Sequence, residues 1–280
     1  MESRPWWRRD SRWWGLGALA ATGLVAWGLL AMPEARTLRY GEHPRALADV
    51  QRAVGPGPRP AMLMIHGGAW QGGSRREMVH YARWLNEMGV TTVAIDYRLT
   101  SGGARWPEPR DDVVQAMWWL REHAAGLDID PQRIGVFGMS AGGHLGAWLA
   151  TTDQVNARGT HSRPRLLIAW GGLWDLARET DFEPAVRDAM HRLMAGGEPR
   201  VGSPLARVDA QTAPVLAIHG PHDTTVAPVQ SRLACEALRR AGVECQLLEP
   251  PGEQHSGPLD SNKTAVVAAM RQFVEKHLVR

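Results

Sequence analysis

The chain has 280 residues, 44% of them apolar, which is enough to bury one substantial core. Its formal net charge of +3 is small for that length, and the basic residues are spread along the chain with no block of interleaved aromatics, which excludes a nucleic-acid binder. The only cysteines, Cys235 and Cys245, match no zinc or redox spacing; they fit two buried packing thiols, or a disulfide if the compartment is oxidising.

The first predicted element is Trp13–Met32, a charge-free stretch of about 20 residues, the length of a helix crossing a bilayer core. Arg4, Arg8, Arg9 and Arg12 lie before it, and Trp6, Trp7, Trp13 and Trp14 supply an aromatic belt. This predicts a single-pass transmembrane anchor with its N-terminus in the cytoplasm and the remaining domain facing the periplasm or exterior. The alternative is a signal peptide, cleaved before secretion. Against cleavage, Met32-Pro33-Glu34-Ala35 offers no small-x-small site, and Arg8-Arg9 lacks the apolar residues that follow a twin-arginine pair. Residues 1–36 are therefore expected to form anchor and linker, and residues 37–280 a second domain.

Beyond the linker, short apolar runs alternate with amphipathic segments, as a parallel sheet with crossover helices requires. The predicted strands are Leu38–Tyr40, Leu47–Val50, Ala61–Ile65, Thr92–Ile95, Arg133–Phe137, Leu166–Trp170, Val215–His219 and Gln246–Leu248. The predicted helices are Arg75–Met88, Arg110–His123, Ala141–Ala150, Val229–Ala241 and Ser261–Leu278, with Gly89 and Gly242 placed to stop two of them. Gly55–Pro60 reads as a turn. Residues 171–213 break the alternation around a helical stretch at Pro184–Met194, and fit either a small lid or an ordinary crossover with long loops.

The chemistry-bearing signals sit at predicted strand ends. Gly138-Met139-Ser140-Ala141-Gly142 lies between a strand and a helix, the G-x-S-x-G pattern of a nucleophile elbow. Its sharp turn leaves the Ser140 hydroxyl at a helix N-terminus, where N–H groups and the helix dipole favour developing negative charge. His66-Gly67-Gly68-Ala69-Trp70 follows the strand Ala61–Ile65. There Gly67 and Gly68, with Ala141, can present backbone N–H groups as an oxyanion hole, and His66 is expected to shape the loop. A serine needs a base and an acid that orients the base. Asp223 follows one late strand and His255 the next, so both fall on the sheet edge that carries Ser140. His222, His144, His161 and His191 are weaker candidates for the base, and Asp175 for the acid. Asp96-Tyr97-Arg98 and Asp112 read as structural polar anchors. No metal, nucleotide or dinucleotide motif is present.

Together with Asp130-Pro131, Gly143-His144 and His219-Gly220, these motifs resemble the esterase/lipase branch of the α/β hydrolases, above all BD-FAE-like carboxylesterases, with hormone-sensitive-lipase and kynurenine-formamidase relatives nearby. The resemblance runs from about Tyr40 to the C-terminus. It implies an α/β-hydrolase fold, a mostly parallel central sheet flanked by helices, with Ser140 as nucleophile, His255 as general base and acid, Asp223 as orienting acid, and Gly67, Gly68 and Ala141 as oxyanion donors. It also implies hydrolysis of small-molecule carboxylic esters of small or medium acyl groups, needing no metal or organic cofactor. Many relatives carry a third glycine where this chain has Ala69, whose methyl group is expected to narrow the acyl pocket. Formamide or amide hydrolysis is the alternative chemistry, and a catalytically dead, membrane-tethered binding protein the alternative class.

Overall fold

The computed structural model describes residues 34–252, 254–255 and 263–279. The predicted anchor at Trp13–Met32 lies outside them; no helix among the described residues is long and apolar enough to cross a membrane.

The described residues form an eight-stranded sheet in the order β1-β2-β4-β3-β5-β6-β7-β8. The strands are β1 Arg36–Arg39, β2 Leu47–Gln51, β3 Arg59–Ile65, β4 Thr91–Ile95, β5 Ile129–Met139, β6 Leu167–Trp170, β7 Val215–Ile218 and β8 Cys245–Leu248. β1 and β2 join antiparallel at one edge, and β3 to β8 are parallel. Central strands bury both faces, which is why Ala61–Ile65 of β3 and Val93–Ile95 of β4 read as unbroken apolar runs.

The strands alternate between two cores. Leu63, Ile65, Val136 and Leu167 point to the larger one, shared with α2 (Glu108–Glu122), α3 (Ala141–Thr151), α4 (Pro184–Met194) and α5 (Val229–Arg240). Met62, Met64, Phe137 and Ile168 point to the opposite side, where α1 (Val79–Glu87) and α6 (Lys263–Val274) pack. The period-2 pattern of each strand thus fixes which helices lie on which face.

Several boundaries differ from expectation. β5 begins at Ile129, four residues before the predicted start, because Asp130-Pro131 reads as a break; a register shift between Arg59 and Ala61 on β3 lets the early part pair. The predicted helix Arg75–Met88 divides into a 3-10 turn, Arg75–Met78, and α1. The C-terminal helix changes to a π turn over Glu275–Val279, and Ser261, its predicted start, lies outside the described residues. Cys235 of α5 and Cys245 of β8 are joined in a disulfide, with Cα atoms 5.2 Å apart, so the bonded alternative holds for these cysteines.

The registers put the strand ends on one line. Ile65 pairs with Gly138, Met139 with Trp170, Trp170 with Ile218, and Ile218 with Leu248. Loops leaving β3, β5, β7 and β8 therefore converge on one rim of the sheet.

Candidate active site

Ser140 occupies the turn between β5 and α3 at φ 50° and ψ −119°, a conformation that side-chain-bearing residues avoid. Its N–H donates to Trp170 O at 2.8 Å, which ties the turn to β6. The turn can form only because α3 approaches β3 closely: a Cβ on Gly142 would collide with the carbonyl oxygens of Ile65 and His66. Gly68 is the second demanding position, with φ +99° and Gly72 O occupying the space a Cβ would need.

The loop after β8 brings His255 to Ser140, and the loop after β7 brings Asp223 to His255. Ser140 Oγ lies 2.8 Å from His255 Nε2, and His255 Nδ1 lies 2.7 Å from Asp223 Oδ2. The carboxylate accepts from Nδ1–H, which leaves Nε2 bare to accept from the serine hydroxyl. Gly171, at φ +55°, packs against the imidazole.

Asp223 is buried and has no missing partner. Its Oδ1 accepts from the N–H groups of Thr225 and Val226, each at 2.9 Å, and Oδ2 also lies 3.1 Å from His219 Nε2. Burial alone would raise its pKa, but the hydrogen bonds from His219, His255 and Val226 outweigh that and hold the carboxyl well below the usual range. His219 went unassigned in the sequence, although it sits four residues before Asp223 at the end of β7. It is fully buried, with Nδ1 2.7 Å from Ser231 Oγ.

Gly67, Gly68 and Ala69 border the same cleft, which holds about 440 Å3 and is also lined by Glu77, Met78, Tyr81, Met139, Glu183, Val186 and Thr225. The N–H groups of Gly67 and Gly68 donate to no backbone acceptor among the described residues. Ala141 opens α3, so its N–H is one of the orphan donors of a helix start. Ala69 and Trp70 have φ of 50° and 58°, so the turn after the glycine pair is held in the left-handed region by residues that disfavour it. The insertion of residues 171–213 supplies Glu183 and Val186, and is tied to the Asp223 loop by Glu183 N–H donating to Thr225 O at 3.0 Å.

The weaker candidates are engaged elsewhere. His161 bonds Asp153 at 2.6 Å, in a second, open hollow at the start of β5 and β6. His191 pairs with Glu179, and His222 is exposed. Asp175 accepts from Ser203 Oγ at 3.3 Å. His144 is fully buried, its Nε2 donating to Gly202 O at 2.8 Å. As expected of polar anchors, Asp96 holds Arg75, and Asp112 holds Arg98 through both oxygens.

The chain is 29% identical to a protein named probable carboxylic ester hydrolase LipM of Mycobacterium tuberculosis, over 85% of this chain and 60% of that protein. It is 32% identical to esterase LipC of the same organism, over 83% of this chain and 62% of that one. The chain thus spans about three fifths of the length of these curated relatives. Among solved structures it is similar to Thermogutta terrifontis esterase 2 phosphonylated by sarin, with a TM-score of 0.78 and 26% identity over 88% of this chain and 95% of that one. That esterase has also been solved with butyrate bound. The fold is therefore the α/β-hydrolase fold, and, since the BD-FAE family model matches residues 49–238, this chain belongs to the BD-FAE family.

Proposed function

We propose that the protein is a serine hydrolase that cleaves carboxylic esters of small or medium acyl groups, with Ser140, His255 and Asp223 as its triad. The observation that carries this reading is the unbroken relay from Ser140 Oγ through His255 to Asp223, at 2.8 and 2.7 Å. His255 takes the hydroxyl proton as Ser140 attacks the ester carbonyl, while Asp223 fixes the imidazole tautomer and stabilises the imidazolium. The N–H groups of Gly67, Gly68 and Ala141 receive the oxyanion, each contributing about 3 kcal/mol of barrier lowering. His255 then returns its proton to the departing alcohol, and water, deprotonated by the same imidazole, releases the acid.

The size of the cleft supports a small acyl group, as does the butyrate complex of the Thermogutta esterase. Residues 171–213 act as a small lid through Glu183 and Val186. The domain works outside the cytoplasm, tethered by Trp13–Met32; the Cys235–Cys245 disulfide supports an oxidising compartment.

Acyl esters of graded chain length, with formyl-amide and peptide controls, test the reading on the full chain. Ser140→Ala is expected to abolish ester turnover and labelling by a fluorophosphonate while leaving the unfolding transition in place. Full activity in that variant would overturn the assignment. Formyl-amide turnover above ester turnover would move it to an amide hydrolase.

A further inference from the structure

The N–H groups of Gly67 and Gly68 are aimed by atoms behind them. Both peptide units are trans, so the Gly67 N–H points opposite to His66 C=O, and the Gly68 N–H opposite to Gly67 C=O. Whatever grips those two carbonyls sets the direction of both donors.

One side chain reaches both. Tyr97 Oη lies 3.1 Å from His66 O and 3.2 Å from Gly67 O, so its single proton is shared between the backs of the two donors. His66 adds a second hold, with Nδ1–H donating to Gly67 O at 2.7 Å. The two rings stack, with centroids 4.4 Å apart and planes within 15°. Both residues are fully buried, and burial keeps the phenol protonated and the imidazole neutral. Tyr97 is itself pinned by Arg45, whose Nε–H donates to Tyr97 O at 2.7 Å while Nη2 holds Gly73 O at 3.1 Å.

We infer that Tyr97, backed by His66, is a positioning residue for the oxyanion donors: its hydroxyl locks the two peptide planes that present Gly67 and Gly68 to the reacting carbonyl. The inference rests on the proposed ester hydrolysis, because the donors matter only if an oxyanion forms at Ser140. Packing alone would need the ring and not the oxygen. A device that aligns donors toward the transition state contributes to kcat and not to ground-state binding.

The test is Tyr97→Phe in the full chain, which removes one oxygen and keeps the ring stack. With a short-chain aryl ester, kcat is expected to fall about tenfold or more while KM stays within about twofold. Affinity for a boronic acid that forms a tetrahedral adduct should fall in parallel with kcat/KM, while affinity for the ether analogue of the ester, which has no carbonyl to attack, should not change. Thr151→Val is the control: it removes a buried hydroxyl that donates to Ala147 O, at the end of α3 remote from the elbow, and should lower stability without lowering kcat. If Tyr97→Phe does not accumulate as folded protein, His66→Leu should lose kcat and His66→Asn, which restores a donor near the Nδ1 position, should recover part of it. A kcat within about twofold of the wild-type value in Tyr97→Phe, or equal loss in His66→Leu and His66→Asn, would overturn the inference. If Ser140→Ala is inactive in that case, the ester-hydrolase reading survives and only the role of Tyr97 falls.

Discussion

His144 gives this fold a pH-dependent weakness that can be calculated and isolated. Its Nδ1 accepts from Trp70 Nε1–H at 3.3 Å and its Nε2–H donates to Gly202 O at 2.8 Å, so the neutral ring is satisfied on both sides. Protonation would place a hydrogen on Nδ1 against an indole N–H, inside a fully buried site. Burial accordingly pushes its pKa from 6.5 down to about 4, despite the opposing bond to Gly202. For a base whose folded value is depressed, the unfolded chain binds the proton first. Stability is then complete above the unfolded value of 6.5 and drains away as pH falls toward 4. Integrated from about pH 7.5 to about pH 5, that one group accounts for about 2 kcal/mol of lost stability. Urea unfolding of the wild-type protein and of His144→Gln at the two pH values measures it. Gln keeps an N–H donor for Gly202 and has nothing to titrate, so the variant should lose about 2 kcal/mol less than the wild type on acidification. His66 and His277, also shifted down by burial, contribute equally to both proteins and cancel in the difference. Asp223 is shifted down from 3.8, so its contribution is lost only below that value and falls outside the window. Equal acid losses in the two proteins would refute the reasoning.

Two other perturbations follow from the same structure. Asp223→Asn removes the acceptor that holds His255 Nδ1–H and should lower kcat about 10⁴-fold with little change in KM, measured on a chromogenic acyl ester. Replacing Cys235 and Cys245 with alanine opens a loop closed across ten residues and should lower unfolding free energy by about 3 kcal/mol, read from denaturant midpoints with and without reductant.

The arrangement around Ser140 was legible because it is written in local signals. A glycine-flanked serine between an apolar run and a helix, and a glycine pair after an earlier run, each declare a backbone geometry. Parallel strand order then carries Asp223 and His255 to the rim where Ser140 stands. What stayed hidden depends on partners distant in sequence or on tertiary override of a local pattern. Tyr97 lies 30 and 31 residues from the two carbonyls it bonds, and nothing in Asp96-Tyr97-Arg98 points to them. Glu183 and Val186 reach the cleft only through the path of residues 171–213. The early turns of β5 pair through an irregularity in β3 that leaves no trace in the β5 sequence. The bonding of Cys235 and Cys245 needed the middle of α5 and the start of β8 brought side by side.

β8 is the last strand of the sheet, with β7 as its single neighbour, whereas β5 is flanked on both sides. The nucleophile therefore grows from a strand paired on both sides, and the base from an edge strand whose start, and not its end near His255, is tied to α5 by the disulfide. Loss of order in a sheet starts where pairing is one-sided. Warming or mild denaturant would thus separate His255 from Ser140 while the elbow still stands, leaving a protein that keeps most of its structure and has already stopped working.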